Sequence, residues 1–256
     1  MSKILRYSVF LTSLLFIIQA CQSTKFITDK SFKETFKKSN LRPSRIESKI
    51  PVYTDSLESI TGKARIQISQ PNHYQRGTIY FVSDRKQSKF TFKNSLGIEG
   101  GELYFNKDSA LVYNKIDKYA RKMSIREYSY VYLNGLLPIN PVDVISPHLG
   151  QLNAQSVYES PDYYAITYRN GTRIILGKKD FLLRKIEYPK GFHSEYATII
   201  FDGYAEIDGY HLPRKIQILS SDKKSNIFLL IQSLTINPKH PNFKIDLPAH
   251  LTVQHL

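Results

Sequence analysis

Arg65-Ile66-Gln67-Ile68-Ser69 and Lys89-Phe90-Thr91-Phe92-Lys93 are the two stretches that indicate the fold most directly. In each of them an apolar residue occupies every second position, which is typical of a β-strand with one buried face. Similar segments lie along the rest of the chain, and the short polar connectors between them favour antiparallel neighbours. Further strands are predicted at residues 78–82, 102–105, 109–114, 118–123, 156–160, 163–168, 172–176, 182–188, 196–204, 211–220 and 226–237.

Two predicted hairpin turns and one predicted helical region interrupt this pattern of strands. Asn170-Gly171 predicts a type I′ hairpin turn, and Asp208-Gly209 also predicts a hairpin turn. Residues 125–134 and 141–149 carry helix-compatible patterns around Gly135-Leu136-Leu137-Pro138. We predict two short helices there that cross the sheet.

The sequence therefore predicts a mostly β protein with a single curved antiparallel sheet that forms an unclosed barrel, with short helices as a lid. The concave face of such a sheet is either an apolar pocket or a core filled by side chains. The apolar residues predicted to line this face are Ile66, Ile68, Phe90, Phe92, Ile216, Ile218, Phe228 and Leu230. In a filled core, the same residues only support the fold.

The composition is that of an ordinary folded protein with a strong positive charge. Of the 256 residues, 41% are hydrophobic and 23% are charged, which excludes a disordered tail and a protein with many membrane spans. There are 36 Lys and Arg residues and 22 Asp and Glu residues, which gives a formal net charge of +14. This charge favours anionic partners but does not distinguish nucleic acid from lipid headgroups.

The N-terminus predicts export from the cytoplasm. Lys3 and Arg6 precede an apolar run at residues 9–18 that is too short for a stable membrane span, as in a secretory signal peptide. The run leads into Ile18-Gln19-Ala20-Cys21, which resembles the lipobox of bacterial lipoproteins, where the cysteine receives a diacylglycerol. We predict a signal peptide at residues 1–20 and lipidation of Cys21. The alternative is an ordinary signal peptide with a chance cysteine.

The rest of the chain is predicted to divide into a tether and one domain. Residues 21–43 are polar, lysine-rich and without a clean period, which indicates a flexible lipid-anchored tether before a single β domain at residues 44–256. Cys21 is the only cysteine, so no intramolecular disulfide can form. Without the signal peptide, 34 basic and 22 acidic residues remain, a net charge of +12. On an exported protein this basic surface is expected to face anionic membrane lipids and not nucleic acid; the alternative is a solvated surface.

The sequence lacks the motifs that indicate catalysis or metal binding. It contains no G-x-S-x-G, P-loop or H-E-x-x-H motif. Its seven histidines are scattered, and no two have the i, i+4 spacing that places two metal ligands on one helix face. We therefore predict that the protein is not an enzyme and has no catalytic residue, metal site or cofactor.

One apolar loop and the many tyrosines indicate surface roles. Asn94-Ser95-Leu96-Gly97-Ile98 places two apolar residues beside a glycine at a strand junction. If they are exposed, Leu96 and Ile98 can enter a membrane; if they are buried, they are ordinary strand ends. The eighteen tyrosines and the lack of Trp indicate half-exposed aromatic positions, and aromatic faces of this kind also stack on sugars.

Several segments resemble the lipoprotein-localisation proteins LolA and LolB and bacterial lipoproteins that share their fold. They are Ile60-Thr61-Gly62-Lys63-Ala64-Arg65-Ile66, Asn94-Ser95-Leu96-Gly97-Ile98-Glu99, Gly135-Leu136-Leu137-Pro138, Ile207-Asp208-Gly209-Tyr210-His211-Leu212-Pro213, and Leu234-Thr235-Ile236-Asn237-Pro238 followed by Phe243-Lys244-Ile245-Asp246-Leu247-Pro248. The resemblance implies an unclosed antiparallel barrel with a helical lid and an apolar cavity for the acyl chains of lipoproteins. LolB is also lipid-anchored and has an exposed leucine in a loop, a role that Leu96 can match.

We therefore expect a monomeric, lipid-anchored protein of the cell envelope, at the outer membrane and facing the periplasm, that binds acyl chains of lipids or lipoproteins. A part in outer-membrane lipoprotein sorting rests on the resemblance in fold alone. The alternative is a non-catalytic structural envelope protein whose concave face is filled and which binds a partner protein or a glycan. Cavity volume distinguishes the two, because an acyl chain needs a continuous apolar cavity of roughly several hundred Å3.

Overall fold

The alternating residues of the two stretches lie in long neighbouring strands of one sheet in the computed structural model. The structure describes residues 35–133, 140–147, 149, 153–189, 196–222 and 224–255. The strands are β1 (Lys37–Lys38), β2 (Ser59–Gln70), β3 (His73–Asp84), β4 (Gln87–Lys93), β5 (Glu99–Asn106), β6 (Ser109–Asn114), β7 (Tyr119–Ser124), β8 (Ala154–Glu159), β9 (Tyr163–Tyr168), β10 (Arg173–Gly177), β11 (Leu183–Glu187), β12 (Tyr196–Asp202), β13 (Ala205–Ile207), β14 (Tyr210–Leu212), β15 (Lys215–Ser220), β16 (Asn226–Ile236) and β17 (Val253–His255). The prediction of a mostly β protein is confirmed.

Fifteen of these strands form one curved sheet that does not close into a barrel. Their order is β1-β8-β9-β10-β11-β12-β15-β16-β2-β3-β4-β5-β6-β7-β17, and β13 and β14 form a separate hairpin. Neighbours are antiparallel except β17, which runs parallel to β7. The centre of the sheet is the pair β16 and β2, which joins an N-terminal run of hairpins, β2 to β7, to a C-terminal run. The predicted unclosed antiparallel sheet is therefore confirmed, with one parallel pair at its edge.

Short strands from the two ends of the described chain cover both edges of the sheet. Lys37 and Lys38 of β1 pair with Glu159 and Tyr158, and β17 pairs with three residues of β7. Short and lysine-bearing edge strands limit pairing with other chains. Because β1 lies within residues 21–43, pairing with the sheet begins before residue 44. The predicted signal peptide and Cys21, the predicted lipidation site, lie outside the described residues.

Two predicted turns differ in their backbone geometry. Asp208 and Gly209 have φ angles of 50° and 83°, and the residues beside them, Ile207 and Tyr210, pair directly. This is the two-residue hairpin expected for Asp-Gly. Asn170-Gly171 also connects two strands, but only Gly171 has a positive φ, and its N–H donates to the carbonyl of Tyr168. The prediction of a type I′ turn there is wrong, because the loop has three residues with the glycine in the left-handed position.

Three helices lie within the described residues: α1 (Pro43–Glu47), α2 (Ile125–Leu133) and α3 (Pro141–Ile145). Helix α2 begins with a capping box, in which Ser124 N–H donates to the Glu127 carboxylate at 2.8 Å and Glu127 N–H donates to Ser124 Oγ at 3.2 Å. The Ser124 hydroxyl also donates to the Glu127 carboxylate, at 2.7 Å. This bond first, and then the one from Ser124 N–H, lowers the pKa of Glu127. Helix α3 ends at Ile145 and not at residue 149, because Pro147 cannot continue it. The Gly135-Leu136-Leu137-Pro138 segment lies outside the described residues.

The predicted strand at residues 211–220 is divided in two. Leu212 ends β14, and β15 begins only at Lys215. Pro213 lies between them and has no N–H for a ladder hydrogen bond, which explains the break.

The main core lies on the concave face of the sheet. Buried residues of α1 and the segment after it, Ile46 and Leu57, pack there with residues from strands of both halves. A smaller cluster lies on the convex face, where Ile245 of the C-terminal segment packs against Tyr113 and Ala120. The sheet is therefore covered on part of each face, and the remaining concave surface forms the candidate site.

Candidate functional site: an apolar cavity on the concave face

A cavity of about 130 Å3 lies on the concave face between the central strands and the short helices. Strands β2, β3, β4, β5, β15 and β16 supply most of its wall, and α2 and α3 supply the rest. The lining residues are Ala64, Ile66, Ile68, Ile79, Phe81, Phe90, Phe92, Leu103, Phe105, Tyr128, Pro141, Val144, Ile145, Ile216, Ile218, Ile227, Leu229 and Ile231. Since Val144, Ile145 and Tyr128 come from helices, the short helices cover the concave face as predicted.

The wall of the cavity is apolar except for one hydroxyl group. The only polar side-chain group among its lining residues is the Tyr128 hydroxyl, and none of those residues carries a charge. Apart from that hydroxyl, such a surface offers no group for general acid–base or nucleophilic chemistry. It favours an apolar ligand that is held by burial of its surface.

Eight residues were predicted from the sequence to line the concave face. Six of them line this cavity, and two do not. Ile66, Ile68, Phe90, Phe92, Ile216 and Ile218 are all at the wall. Phe228 and Leu230 lie on the opposite face of the sheet, because they pair with Gln67 and Arg65. The prediction that these two line the concave face is wrong.

Ile227 and Leu229 take the places predicted for Phe228 and Leu230. They pair with Ile68 and Ile66 on one side and with Ile218 and Ile216 on the other. Sequence reasoning missed them because β16 is apolar at every position from Ile227 to Ile231, so alternation within that strand does not identify its inner face.

Phe90 is the centre of an aromatic cluster at one side of the cavity. Its ring centroid lies 6.4 Å from that of Phe81, 6.1 Å from that of Phe92 and 5.9 Å from that of Phe105. Contacts of this kind stabilise a fold beyond the burial of apolar area. The ring therefore supports the strand packing and forms part of the wall at the same time.

Helix α3 is attached to the sheet by a group of polar contacts at one end of the cavity, which we call the lid end. Asn140 caps the helix by accepting from Val142 N–H at 2.9 Å, accepts from Ser83 Oγ at 2.8 Å, and donates to the Asp84 carbonyl at 2.6 Å. Arg85 Nη1 donates to the Asp143 carboxylate at 2.9 Å and to the Ser146 carbonyl at 3.3 Å. These bonds fix α3 against the turn between β3 and β4.

Free space increases away from the lid end. Ala64 and Ile231 near the helices are buried, whereas Ile66, Ile68 and Ile227 farther along the same strands are only half-buried. The β2–β3, β4–β5 and β6–β7 turns lie at that opposite end, which we call the loop end. An apolar ligand would therefore find the most free space at the loop end.

Leu96 and Ile98, the predicted membrane-contact residues, lie in the β4–β5 turn at the loop end and are exposed. Leu96 is 82% exposed and Ile98 is 55% exposed. Asn94 holds the turn by accepting from the N–H groups of both residues, at 2.9 and 3.0 Å. Ile116 in the neighbouring β6–β7 turn is 66% exposed, and no local sequence signal distinguishes it. Only the order of the strands in the sheet shows that these two turns are neighbours.

A smaller cavity of about 40 Å3 lies beside α3 and includes Tyr204 and His211. The Tyr204 hydroxyl donates to the Leu183 carbonyl, and burial of the ring raises its pKa. Within the described ranges, no group of three or more His, Cys, Asp or Glu residues is placed to hold a metal ion. In the same ranges, no helix is both long and apolar enough to span a membrane.

Comparison with known proteins identifies the fold and not a family. No family model matches the sequence, and no curated protein matches it. Among solved structures, a LolA superfamily protein from Nitrosomonas europaea is 12% identical with a TM-score of 0.50, over 77% of this chain and 94% of that chain. A domain named for outer membrane lipoprotein sorting, from Vibrio parahaemolyticus, is 10% identical with a TM-score of 0.49, over 76% and 90% of the two chains. The protein therefore has a LolA/LolB-like fold.

Proposed function

We propose that this protein is a lipid-anchored periplasmic protein that binds acyl chains of lipids or lipoproteins in the apolar cavity. It is a non-catalytic, monomeric carrier or acceptor that acts in outer-membrane lipoprotein sorting. One observation carries the proposal: the wall of the cavity is almost entirely apolar, although it is partly open to solvent. The LolA/LolB-like fold supports the same function by analogy.

The size of the cavity determines how an acyl chain can bind. A volume of about 130 Å3 is close to that of engineered apolar cavities of about 150 Å3 that hold one benzene molecule. It is below the several hundred Å3 expected for a whole chain. In the proposed complex the end of the chain enters the cavity, and the rest follows the half-buried Ile66, Ile68 and Ile227 towards the loop end. The polar contacts of Arg85 and Asn140 keep α3 in place during entry.

The small volume also favours the second candidate, a structural envelope protein with a filled concave face. The presence or absence of bound lipid distinguishes the acyl-chain-binding protein from the structural protein. Native mass spectrometry of the purified protein before and after delipidation, with solvent extraction of the sample, is expected to find acyl-bearing lipid in the untreated protein only. Untreated protein without lipid, together with failure to bind a fluorescent fatty acid after delipidation, would establish the structural role instead.

The proposed anchor predicts a complete loss of lipidation in Cys21→Ala. Cys21 carries the only thiol in the chain, so no other residue can form the thioether to diacylglycerol. The variant is expected to be released from the membrane fraction or to retain its signal peptide, since each buried CH2 of an anchor contributes about 0.8 kcal/mol. Metabolic labelling with palmitate measures this, and label that persists in Cys21→Ala would contradict the assignment.

Leu96 and Ile98 are proposed to enter the membrane at the loop end during transfer. Leu96→Glu in a Cys21→Ala background is expected to weaken vesicle binding by about 10- to 150-fold, because burial of a leucine side chain stabilises by about 1.5–3 kcal/mol. The melting temperature should be unchanged, because the side chain is exposed. Val52→Glu, at an exposed apolar residue elsewhere, is the control. If vesicle co-sedimentation falls equally in both variants, the turn has no special role.

A further inference from the structure

The convex face of β2, β3 and β4 carries a set of cations whose charge the described part of the chain does not neutralise. They are Lys63, Arg65, Arg76 and Lys93, which we call the cationic patch. No carboxylate among the described residues lies within the 4.0 Å ion-pair distance of any of the four. By contrast, Lys89 and Lys115 at the border of the patch are paired with Glu102. The patch is thus a local excess of positive charge and not a network of ion pairs.

The register of the strands brings these four cations together on one face. Arg65 pairs with Thr78, which pairs with Lys93, so the Cα atoms of the two cationic residues lie in one row about 10 Å apart across β3. Lys63 lies one side-chain step along β2, about 7 Å from Arg65. Arg76 pairs with Gln67 in the next row, so the patch continues towards the loop end. Like charges at this spacing repel one another and favour a ligand with several negative charges.

Two exposed tyrosines lie within the patch. The Tyr80 ring lies between two cations, with Lys63 Nζ at 5.6 Å and Lys93 Nζ at 5.1 Å from its centroid. The Arg76 guanidinium lies 4.9 Å from the centroid of the Tyr74 ring. These contacts hold the Lys63 and Lys93 amines beside the Tyr80 ring, and Arg76 Nε also donates to the Tyr74 hydroxyl. Arg65 and Arg76 are exposed, and Lys63 and Lys93 are half-buried. Thr78 and Gln67 add hydrogen-bonding groups to the same rows.

From this arrangement we infer that the convex face of β2 to β4 binds an anionic polysaccharide. Carboxylate or phosphate groups of the sugar chain bind the four cations and draw them off the tyrosine rings, and the uncovered rings then pack against the sugar rings. Hydroxyl and amide side chains between the cations suit the many hydroxyl groups of a sugar. A curved convex face also fits a linear polymer better than a flat bilayer. This site lies on the face opposite the cavity and does not depend on acyl-chain binding.

The test compares two carboxylate polymers that differ in their backbone. The full-length protein in detergent micelles is titrated with polygalacturonate and with polyglutamate, with neutral dextran as the uncharged control. We expect polygalacturonate to bind at least tenfold more tightly than polyglutamate, and dextran not to bind. Equal affinity for the two polymers would overturn the proposal, because charge alone would then explain binding.

One patch variant and a matched control locate the site. Neutralising the patch by Lys63→Gln, Arg65→Gln, Arg76→Gln and Lys93→Gln is expected to weaken polygalacturonate binding at least tenfold. The control replaces four exposed lysines outside the patch, Lys86, Lys107, Lys224 and Lys239, with Gln and changes the net charge equally. An equal loss in patch and control proteins would overturn the proposal.

A single substitution tests the aromatic part of the site. Tyr80→Leu keeps an apolar side chain but removes the ring, and it should weaken polygalacturonate binding without changing polyglutamate binding. Melting curves for each variant verify the fold. If the patch variant loses binding to micelles containing phosphatidylglycerol but keeps its affinity for polygalacturonate, the partner is a membrane and the proposal is wrong.

Discussion

Leu229→Asp is expected to weaken acyl-chain binding strongly, whereas Leu230→Asp at the next position is expected to leave it unchanged. Leu229 lies on the cavity wall between Ile66 and Ile216, so its replacement puts a carboxyl group against the bound chain. A polar group buried without a hydrogen bond costs about 1–3 kcal/mol, which weakens binding roughly 5- to 150-fold. Leu230 lies on the convex face, where it pairs with Arg65 and Lys215.

The two variants form a matched pair because both replace a half-buried leucine in the same strand. Displacement of a fluorescent fatty acid gives the affinity, and circular dichroism melting verifies that both proteins fold. If Leu229→Asp folds and binds as tightly as Leu230→Asp, the acyl chain does not occupy this cavity.

Phe90→Ala is expected to destabilise the protein strongly. Removal of the ring takes away its contacts with Phe81, Phe92 and Phe105 and enlarges the existing cavity. Substitutions of this kind cost about 3–5 kcal/mol, and we expect a value near 3 kcal/mol because Phe90 is only half-buried. The melting temperature should fall by about 6–12 °C.

Thr91→Ala is the control for Phe90→Ala. Thr91 is adjacent, points to the convex face and makes one hydrogen bond to Glu102 at 3.3 Å, so its loss should cost about 1 kcal/mol or less. Addition of fatty acid at about 100 times its dissociation constant should restore about 2.7 kcal/mol to the Phe90→Ala protein if the cavity binds acyl chains. A melting temperature that does not respond to fatty acid would favour the filled structural core.

The sequence predicted which side chains line the cavity well where one face of a strand is polar and poorly where both faces are apolar. In β2 and β4 the polar residues Gln67 and Thr91 separate the apolar ones, and every predicted wall residue of these strands lies on the wall. In β16 the run from Ile227 to Ile231 is apolar at each step, and its face is set by pairing with β2 and β15. Long-range pairing of this kind is not encoded in local alternation.

The candidate site could be predicted only in part for a related reason. The positions of Leu96 and Ile98 in a turn followed from local glycine and asparagine signals. The polar contacts of Asn140 and Arg85 with the lid end could not be predicted, because they join residues 56 to 61 positions apart. The volume of the cavity could not be predicted either, because it depends on how far the helices fill the concave face.

The central pairing of β16 with β2 has a consequence for the kinetics of folding. It joins Ser59 to Asn237, which are 178 positions apart, whereas the pairs within β2 to β7 join strands that are neighbours in sequence. Loop closure over such a separation is slow, so the two runs of hairpins are expected to form first and to join late. Ile66 and Ile68 come from one run and Ile227 and Leu229 from the other, so the cavity exists only after this last step. A bound acyl chain would therefore slow the separation of β2 from β16. Slower amide hydrogen exchange along these two strands would show how long the chain stays bound.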